Sequence, residues 1–211
     1  MSDPTEELLE LLGQVRVLPV TTVDDADQAE ATARALLAGG LSCIEIVFRS
    51  NGAAGAIERL ASIDGLVVGA GTLLTVAQVL SAIDAGARFA LSPALDENII
   101  VACREHGLPF IPGVATPSEI QRARSLGMRV LKLFPAAELG GPAYINAVSP
   151  LFPDVRFVPT GGINAETAAS YFALPAVLAC GGSWLVKPEL LRTGRFDEVE
   201  RLAREAARLG E

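Results

Sequence analysis

Short apolar runs alternate with longer amphipathic segments along the chain. Eight runs rich in Val, Ile, Leu and Phe are each followed by turn-forming residues and then by an alanine-rich segment of helical periodicity. The runs start roughly 20–28 residues apart, the length of one strand–helix unit with short loops. They cover residues 15–20, 43–48, 66–70, 88–92, 110–113, 130–134, 156–160 and 176–181. The repeat predicts a parallel sheet covered by helices.

Helix boundary signals support this reading. Side chains that cap helix starts precede four of the helical segments, and glycines suited to a left-handed stop follow four of them. The caps are Asp24, Thr75, Asp96 and Asn164, and the stops are Gly39, Gly86, Gly107 and Gly127.

Eight repeats in one chain favour closure of the sheet. We therefore predict a single α/β domain over residues 1–211, a closed (β/α)8 TIM barrel with an N-terminal capping helix within residues 1–14. An open doubly wound sheet is the alternative, and it is disfavoured because no GxGxxG motif follows the first run. Pro19 is expected at a strand end or a bulge, since proline cannot donate to a central ladder.

Charge and composition exclude several classes of partner. The net charge of −8 argues against nucleic acid or an anionic membrane surface, because both require a basic surface. No apolar run approaches the roughly 18–20 residues that cross a bilayer, and the acidic opening differs from a signal peptide, so we expect a cytoplasmic protein. Three widely spaced cysteines fit reduced thiols in a core, and a single histidine, His106, disfavours a His-ligated zinc site.

The segment VLKLFPAAELGG places Lys132 among apolar residues of the sixth run. An ammonium group there costs free energy unless it is paired or loses its proton. Strand side chains alternate with period two, so Lys132 shares a face with Val130 and Phe134. By the same rule Glu45 and Arg49 lie on the inner face of the second run. All three functional groups are expected at the carboxyl ends of the strands, where such folds place their active sites.

A buried amine, a carboxylic acid and a guanidinium together suggest Schiff-base chemistry on a 2-keto acid. The amine would attack the keto carbon, the acid would move protons, and the forked guanidinium would hold the carboxylate. The iminium then becomes the electron sink for breaking a C–C bond. A purely structural ion pair of Glu45 with either Lys132 or Arg49 is the alternative.

Paired glycines end the last two runs, Gly161–Gly162 and Gly181–Gly182. Glycine lets the backbone approach an anion closely, and the loops after strands seven and eight of a (β/α)8 barrel commonly bind phosphate. Thr72, at the end of the third run, offers a hydroxyl to an anion or a substrate oxygen. The alternative is that the glycines only form tight turns.

The segments EIVFR, VGAGTLL, ALSPAL, IPGVATPSEI, LKLFPAAELGG, RFVPTGGIN and GGSWLV occur in this order along nearly the whole chain. In sequence and spacing the chain resembles the bacterial 2-keto-3-deoxy-6-phosphogluconate (KDPG) aldolases, also called 4-hydroxy-2-oxoglutarate (KHG) aldolases. The resemblance implies a class I, metal-free aldolase without a cofactor, usually a homotrimer. It would cleave KDPG to pyruvate and D-glyceraldehyde 3-phosphate in the Entner–Doudoroff pathway, and KHG to pyruvate and glyoxylate.

The resemblance also implies a role for each matching residue. Lys132 would form the Schiff base and Glu45 would be the general acid/base. Arg49 and Thr72 would hold the pyruvate carboxylate, Phe134 would wall the pocket, and Thr160 would contact the aldehyde end. Gly161, Gly162 and Ser183 would bind phosphate, and we place Gly182, from the second glycine pair, with them in the substrate-binding set. Val47 departs from the family, in which many members have threonine at this position.

Three alternatives remain at this stage. The substrate could be the 6-phosphogalactonate epimer, because the pyruvate half is shared by both sugar acids. A non-catalytic sugar-phosphate-binding barrel would keep the glycine pairs without using Lys132. A zinc-dependent aldolase lacks evident ligands.

Overall fold

The computed structural model describes residues 4–23 and 25–209. The helices are α1 (Pro4–Val15), α2 (Ala26–Ala38), α3 (Ala53–Ala61), α4 (Val76–Asp84), α5 (Glu97–Glu105), α6 (Pro117–Ser125), α7 (Gly141–Val148), α8 (Ala165–Phe172), α9 (Pro188–Arg192) and α10 (Phe196–Arg208), with a 3-10 turn at Ser149–Leu151. The strands are β1 (Val17–Thr21), β2 (Cys43–Val47), β3 (Val67–Gly71), β4 (Phe89–Leu91), β5 (Phe110–Ile111), β6 (Gly113–Val114), β7 (Val130–Leu133), β8 (Arg156–Pro159) and β9 (Cys180–Gly182). None of the helices in these ranges is long and apolar enough to cross a membrane.

The expected closed (β/α)8 barrel is wrong. The strands form a six-stranded parallel sheet in the order β5-β4-β3-β2-β1-β9 and a separate three-stranded parallel sheet in the order β6-β7-β8. The larger sheet joins strands that are mostly neighbours in sequence, which is not the order of a doubly wound fold either. The assignment of residues 1–211 to one domain stays a prediction.

Two prolines account for the separation of the sheets. The predicted run 110–113 is interrupted at Pro112, which has no N–H to give to a ladder. The chain therefore pairs with β4 through β5, before this proline, and with β7 through β6, after it. Between β8 and β9 only isolated bridges form, at Phe157–Val177 and Thr160–Gly181. Pro159 lies between these bridges without an N–H, and pairing resumes one residue out of register.

Side-chain alternation in the strands was predicted correctly. Cys43 of β2 belongs to an inner apolar cluster that both sheets share, whereas Ile44 and Ile46 pack with the helices. Glu45 and Val47 follow Cys43 on the inner face. The position of Pro19 was not predicted correctly, because it lies within β1 and pairs with Gly182. The ladder with β9 ends at this pair, so no further N–H is needed on that side.

Helix α1 covers the amino-terminal side of this inner cluster. Leu8 and Leu12 are buried there against Leu18 of β1 and Val158 of β8. The spacing of four residues places both leucines on one face of the helix. The opposite, carboxyl ends of the strands remain free to form a site.

Most of the predicted boundary signals are confirmed. Thr75, Asp96 and Asn164 accept hydrogen bonds as N-caps of α4, α5 and α8. Asp25 caps α2, and the predicted Asp24 lies outside the described residues. Gly86, Gly107 and Gly127 have positive φ, but Gly39 does not, and Gly40 at φ 93° makes the left-handed turn after α2 instead.

The three thiols should be unreactive in the folded protein. Cys43, Cys103 and Cys180 are buried and free, and burial raises the pKa of each to about 12. A raised pKa lowers the thiolate population, so very few of these thiols are ionised at pH 8. We expect no reaction with a chromogenic disulfide reagent at pH 8 until denaturant is added. Rapid labelling of the native protein would contradict this burial.

Candidate active site

A buried lysine and a buried glutamate form the centre of the site. Lys132 lies in β7 between Gly113 of β6 and Val158 of β8, and Glu45 lies in β2 opposite Gly69 of β3. Lys132 Nζ is 3.1 Å from Glu45 Oε1. The two side chains are 4% and 0% exposed. Of the two ion pairs considered as alternatives for Glu45, the described residues form the one with Lys132 and not the one with Arg49.

The second oxygen of the Glu45 carboxyl group is unusual. Oε2 is buried and has no hydrogen-bond partner among the described residues. A buried carboxylate oxygen without a partner costs free energy, and such exceptions mark groups that act in chemistry or hold an unseen partner. The arrangement therefore leaves one oxygen of Glu45 on Lys132 and the other available for proton transfer.

Lys132 opens on a cavity of about 310 Å³ at the carboxyl ends of the strands. Ligands of α/β proteins bind outside the carboxyl ends of parallel strands, so the location fits a substrate pocket. Eight of the predicted site residues line this cavity: Arg49, Thr72, Lys132, Phe134, Thr160, Gly161, Gly162 and Ser183. Glu45 lies behind Lys132, and Gly182 is not part of the wall.

A second cavity, of about 450 Å³, lies at the opposite end of the strands. It is lined mainly by apolar residues of α1 and of the segments that lead into β5 and β7. It holds Cys103 and two arginines but no pair of an amine and an acid. We therefore assign the chemistry to the smaller cavity, where the reactive groups converge.

Arg49 lies in the turn that follows β2. Its side chain is exposed at the rim of the cavity, and no carboxylate of the described residues forms an ion pair with it. A guanidinium can bind a carboxylate through two parallel hydrogen bonds. Arg49 is therefore placed to receive an anionic group that enters the cavity.

Thr72 adopts a left-handed backbone conformation directly after β3, with φ 59°. This conformation is strained for a β-branched residue. Strain of this kind clusters at ligand sites, where the surrounding structure holds it in place. Thr72 lines the cavity together with Arg49, so both can reach the same ligand group.

Residues after β8 and β9 form the other side of the cavity. Gly161 and Gly162 have φ of 102° and 70°, which only glycine adopts readily. Ser183 follows β9 and lines the same cavity. Gly182 has a packing role instead: a Cβ atom at this position would lie 2.7 Å from Trp184 Cη2. The two loops supply hydroxyl and backbone groups suited to an oxyanion.

Two further predicted residues lie beside Lys132. The Phe134 ring centroid is 5.9 Å from Lys132 Nζ, and this ring gives the amine an apolar wall. Thr160 is buried and bridges to Gly181 of β9. Its hydroxyl donates a long hydrogen bond of 3.4 Å to the Val158 carbonyl, which leaves it available to a ligand.

Sequence reasoning missed part of the wall. Val20, Thr21 and Thr22 at the end of β1 also line the cavity. The rule that inspects the last residues of every strand could have found them, but β1 was expected to end near Pro19.

In the described part of the chain, no three His, Cys, Asp or Glu side chains come together as metal ligands.

Comparison with known proteins identifies the family of the chain. The family described as "Aldolase: KDPG and KHG aldolase" matches residues 8–202. A 2-dehydro-3-deoxy-phosphogluconate aldolase of Treponema pallidum (strain Nichols) is 43% identical over 203 residues, which are 96% of this chain and 97% of that protein.

Solved structures agree over nearly the full length. KDPG aldolase from Legionella pneumophila, with pyruvate captured at low pH as a covalent carbinolamine intermediate, superposes with a TM-score of 0.91 at 34% identity, over 97% of this chain and 98% of that one. The aldolase of Zymomonas mobilis ZM4 with 3-phosphoglycerate gives a TM-score of 0.89 at 33% identity, over 96% of each chain. The chain therefore belongs to the KDPG and KHG aldolase family.

Proposed function

We propose that this protein is a class I aldolase that cleaves 2-dehydro-3-deoxy-6-phosphogluconate to pyruvate and D-glyceraldehyde 3-phosphate. The observation that carries the proposal is the buried contact of 3.1 Å between Lys132 and Glu45 at the base of a cavity. Family membership and the Legionella relative with its pyruvate carbinolamine support the same chemistry. Cleavage of 4-hydroxy-2-oxoglutarate to pyruvate and glyoxylate is the proposed second activity.

The first half of the reaction joins the substrate to the enzyme. The Lys132 amine adds to the C2 ketone and forms a carbinolamine, and Glu45 supplies the proton with which the C2 hydroxyl leaves as water. The product is an iminium at C2. Lys132 is buried beside Phe134 and lies 3.1 Å from Glu45, so Glu45 is the group to which a proton of the amine can pass before the attack.

The second half breaks the C3–C4 bond. Glu45, directly or through water, accepts the proton of the C4 hydroxyl, and the electrons of the C3–C4 bond move into the iminium. This step releases the aldehyde and leaves an enamine, which Glu45 protonates at C3. Water then hydrolyses the resulting iminium, which frees pyruvate and restores Lys132.

The polar groups of the cavity divide between the two ends of the substrate. Arg49 and Thr72 hold the carboxylate, and Gly161, Gly162 and Ser183 bind the phosphate, whereas Gly182 leaves room for the Trp184 ring next to Ser183. Thr160 contacts the aldehyde half. The positions of these residues around one cavity support these roles, and so does the 3-phosphoglycerate in the Zymomonas relative.

Replacing Arg49 by methionine should weaken binding of the carboxylate. A charge-assisted hydrogen bond contributes about 1.5–3 kcal/mol, so we expect the KM for the substrate to rise roughly 10–100-fold with a smaller change in kcat. Steady-state kinetics with KDPG measure both constants, and Arg59→Met, on the exposed outer face of α3, is the control. An unchanged KM would remove Arg49 from the proposed role.

The identity of the substrate can be tested by comparing kcat/KM for three candidate substrates. We expect the highest kcat/KM on KDPG when pyruvate release is followed for KDPG, its 6-phosphogalactonate epimer and 4-hydroxy-2-oxoglutarate. A higher kcat/KM on the epimer would change the substrate but keep the mechanism. Absence of cleavage on all three would instead favour a non-catalytic sugar-phosphate-binding protein.

The activity should not depend on a metal or an organic cofactor. The amine supplies the electron sink, so we expect full turnover after dialysis against a strong chelator. The same assay on the dialysed protein measures this. Loss of activity that zinc restores would overturn the class I assignment.

We also propose the setting in which the enzyme acts. Three free, buried thiols support a reducing compartment, and we propose the cytoplasm. A place in the Entner–Doudoroff pathway follows from the proposed substrate. A homotrimer is proposed from family resemblance, and light scattering of the purified protein tests it.

A further inference from the structure

The geometry points to Gly71 as a positioning residue for Glu45. The inference rests on the proposed function and adds a residue to it. Gly71 is the last residue of β3 and pairs with Val47, two residues beyond the pair formed by Glu45 and Gly69. The Glu45 side chain therefore extends along the inner face of the sheet, across the position that a side chain at residue 71 would occupy.

A methyl group at position 71 would take the place of the carboxyl group. An ideal Cβ built on Gly71 lies 2.5 Å from Glu45 Cδ and 2.6 Å from Glu45 Cγ, and it overlaps Oε1 more closely still. The three heavy atoms nearest to that Cβ all belong to Glu45. Oε1 is the oxygen that contacts Lys132, so the clash falls on the catalytic contact itself.

Neither partner can move aside cheaply. Glu45 is fully buried, so its carboxyl group cannot turn into solvent. Gly71 is fixed by its ladder with β2, and its carbonyl accepts the Phe48 N–H at 2.8 Å. The strand therefore resists displacement, and the side chain of Glu45 must change its rotamer if a Cβ is added.

The backbone does not itself require glycine at this position. Gly71 is not among the glycines with positive φ, so alanine can adopt its conformation. This separates Gly71 from Gly161 and Gly162, at which a substitution would strain the main chain. The effect of Gly71→Ala should thus pass through Glu45.

Gly69 provides a matched control on the same strand and face. A Cβ at Gly69 would lie 2.5 Å from Phe89 Cδ2, and its nearest neighbours all belong to that ring. Gly69→Ala therefore overpacks the inner cluster without meeting Glu45 first. Its cost should not depend on which residue stands at position 45.

The test is a double-mutant cycle with two readouts, kcat for KDPG cleavage and Tm. We expect Gly71→Ala alone to lower kcat about 100-fold with KM little changed, since a displacement near 1 Å can have such an effect. We expect its Tm to fall by about 5 °C. In the Glu45→Ala background, where the clash is gone, Gly71→Ala should lower neither kcat nor Tm further. In the isosteric Glu45→Gln background the loss of Tm should persist, and Gly69→Ala should lower Tm in every background.

Each outcome decides the inference. Wild-type kcat in Gly71→Ala, or an equal loss of Tm with and without the Glu45 side chain, would overturn it. If Gly71→Ala does not fold by itself, folding of Gly71→Ala/Glu45→Ala supports the inference, and failure of both overturns it. The Tm cycle needs no activity, so it still reports on the contact between Gly71 and Glu45 if the wild-type protein proves not to be an aldolase.

Discussion

The Lys132→Met substitution should lower the rate of KDPG cleavage by about 10⁵-fold or more. Lys132 is the sole amine among the residues that line the described cavity, and removal of a covalent nucleophile leaves only binding and acid–base effects. Methionine keeps the length of the side chain without the nitrogen. Release of pyruvate, measured in a coupled assay, follows the loss.

Loss of fold must be separated from loss of the nucleophile. In Lys132→Met the buried Glu45 loses its counter-charge, and breaking such a pair costs roughly 3–5 kcal/mol of the free energy of unfolding. Lys132→Met/Glu45→Gln is neutral at both positions and should fold more stably while remaining inactive. Lys187→Met removes the other lysine of the chain and should leave cleavage close to wild type. Substantial turnover in Lys132→Met would refute the covalent mechanism.

Glu45→Gln should lower kcat by about 10²–10⁴-fold, the range contributed by a general acid/base. Glutamine matches glutamate in size, so the 3.1 Å contact with Lys132 and the packing against β3 can persist. What is lost is the ability to carry protons to and from the carbinolamine and the enamine. We expect the covalent adduct with pyruvate still to form, but at a reduced rate. Borohydride trapping at timed intervals measures that rate.

The control for this variant is a carboxylate outside the site. Glu97 forms an ion pair with Arg122 on the surface, and Glu97→Gln should leave kcat unchanged, because exposed pairs contribute little. Normal turnover in Glu45→Gln would assign Glu45 to a structural ion pair with Lys132.

The local features of this fold could be predicted from the sequence, but the division of its strands into two sheets could not. Alternation within CIEIV identified Glu45 as inward-facing because period two follows from strand geometry alone. Closure depends on hydrogen bonds between strands that are distant in sequence. Pro112 and Pro159 lack backbone N–H donors at the two places where the sheets would have to join. The hydrophobic pattern of the strands does not show that these prolines interrupt the ladders.

The site divides in the same way. Lys132 could be found because a lysine between apolar strand residues would bury a charge, which is costly unless the residue has a special role. Thr22 was missed because β1 extends beyond Pro19. Gly71 could not be found, since its role depends on the path of a side chain from a neighbouring strand. Gly182 was assigned to the ligand from its motif, yet its lack of a side chain makes room for the Trp184 ring.

Reductive trapping tests directly whether Lys132 forms an imine with pyruvate. The protein is incubated with pyruvate and borohydride, digested, and analysed by mass spectrometry. We predict one reduced pyruvate per chain, attached to the peptide that carries Lys132, and no adduct in Lys132→Met. An adduct on Lys187, or none on the wild-type protein, would contradict the assignment of Lys132 as the imine-forming residue.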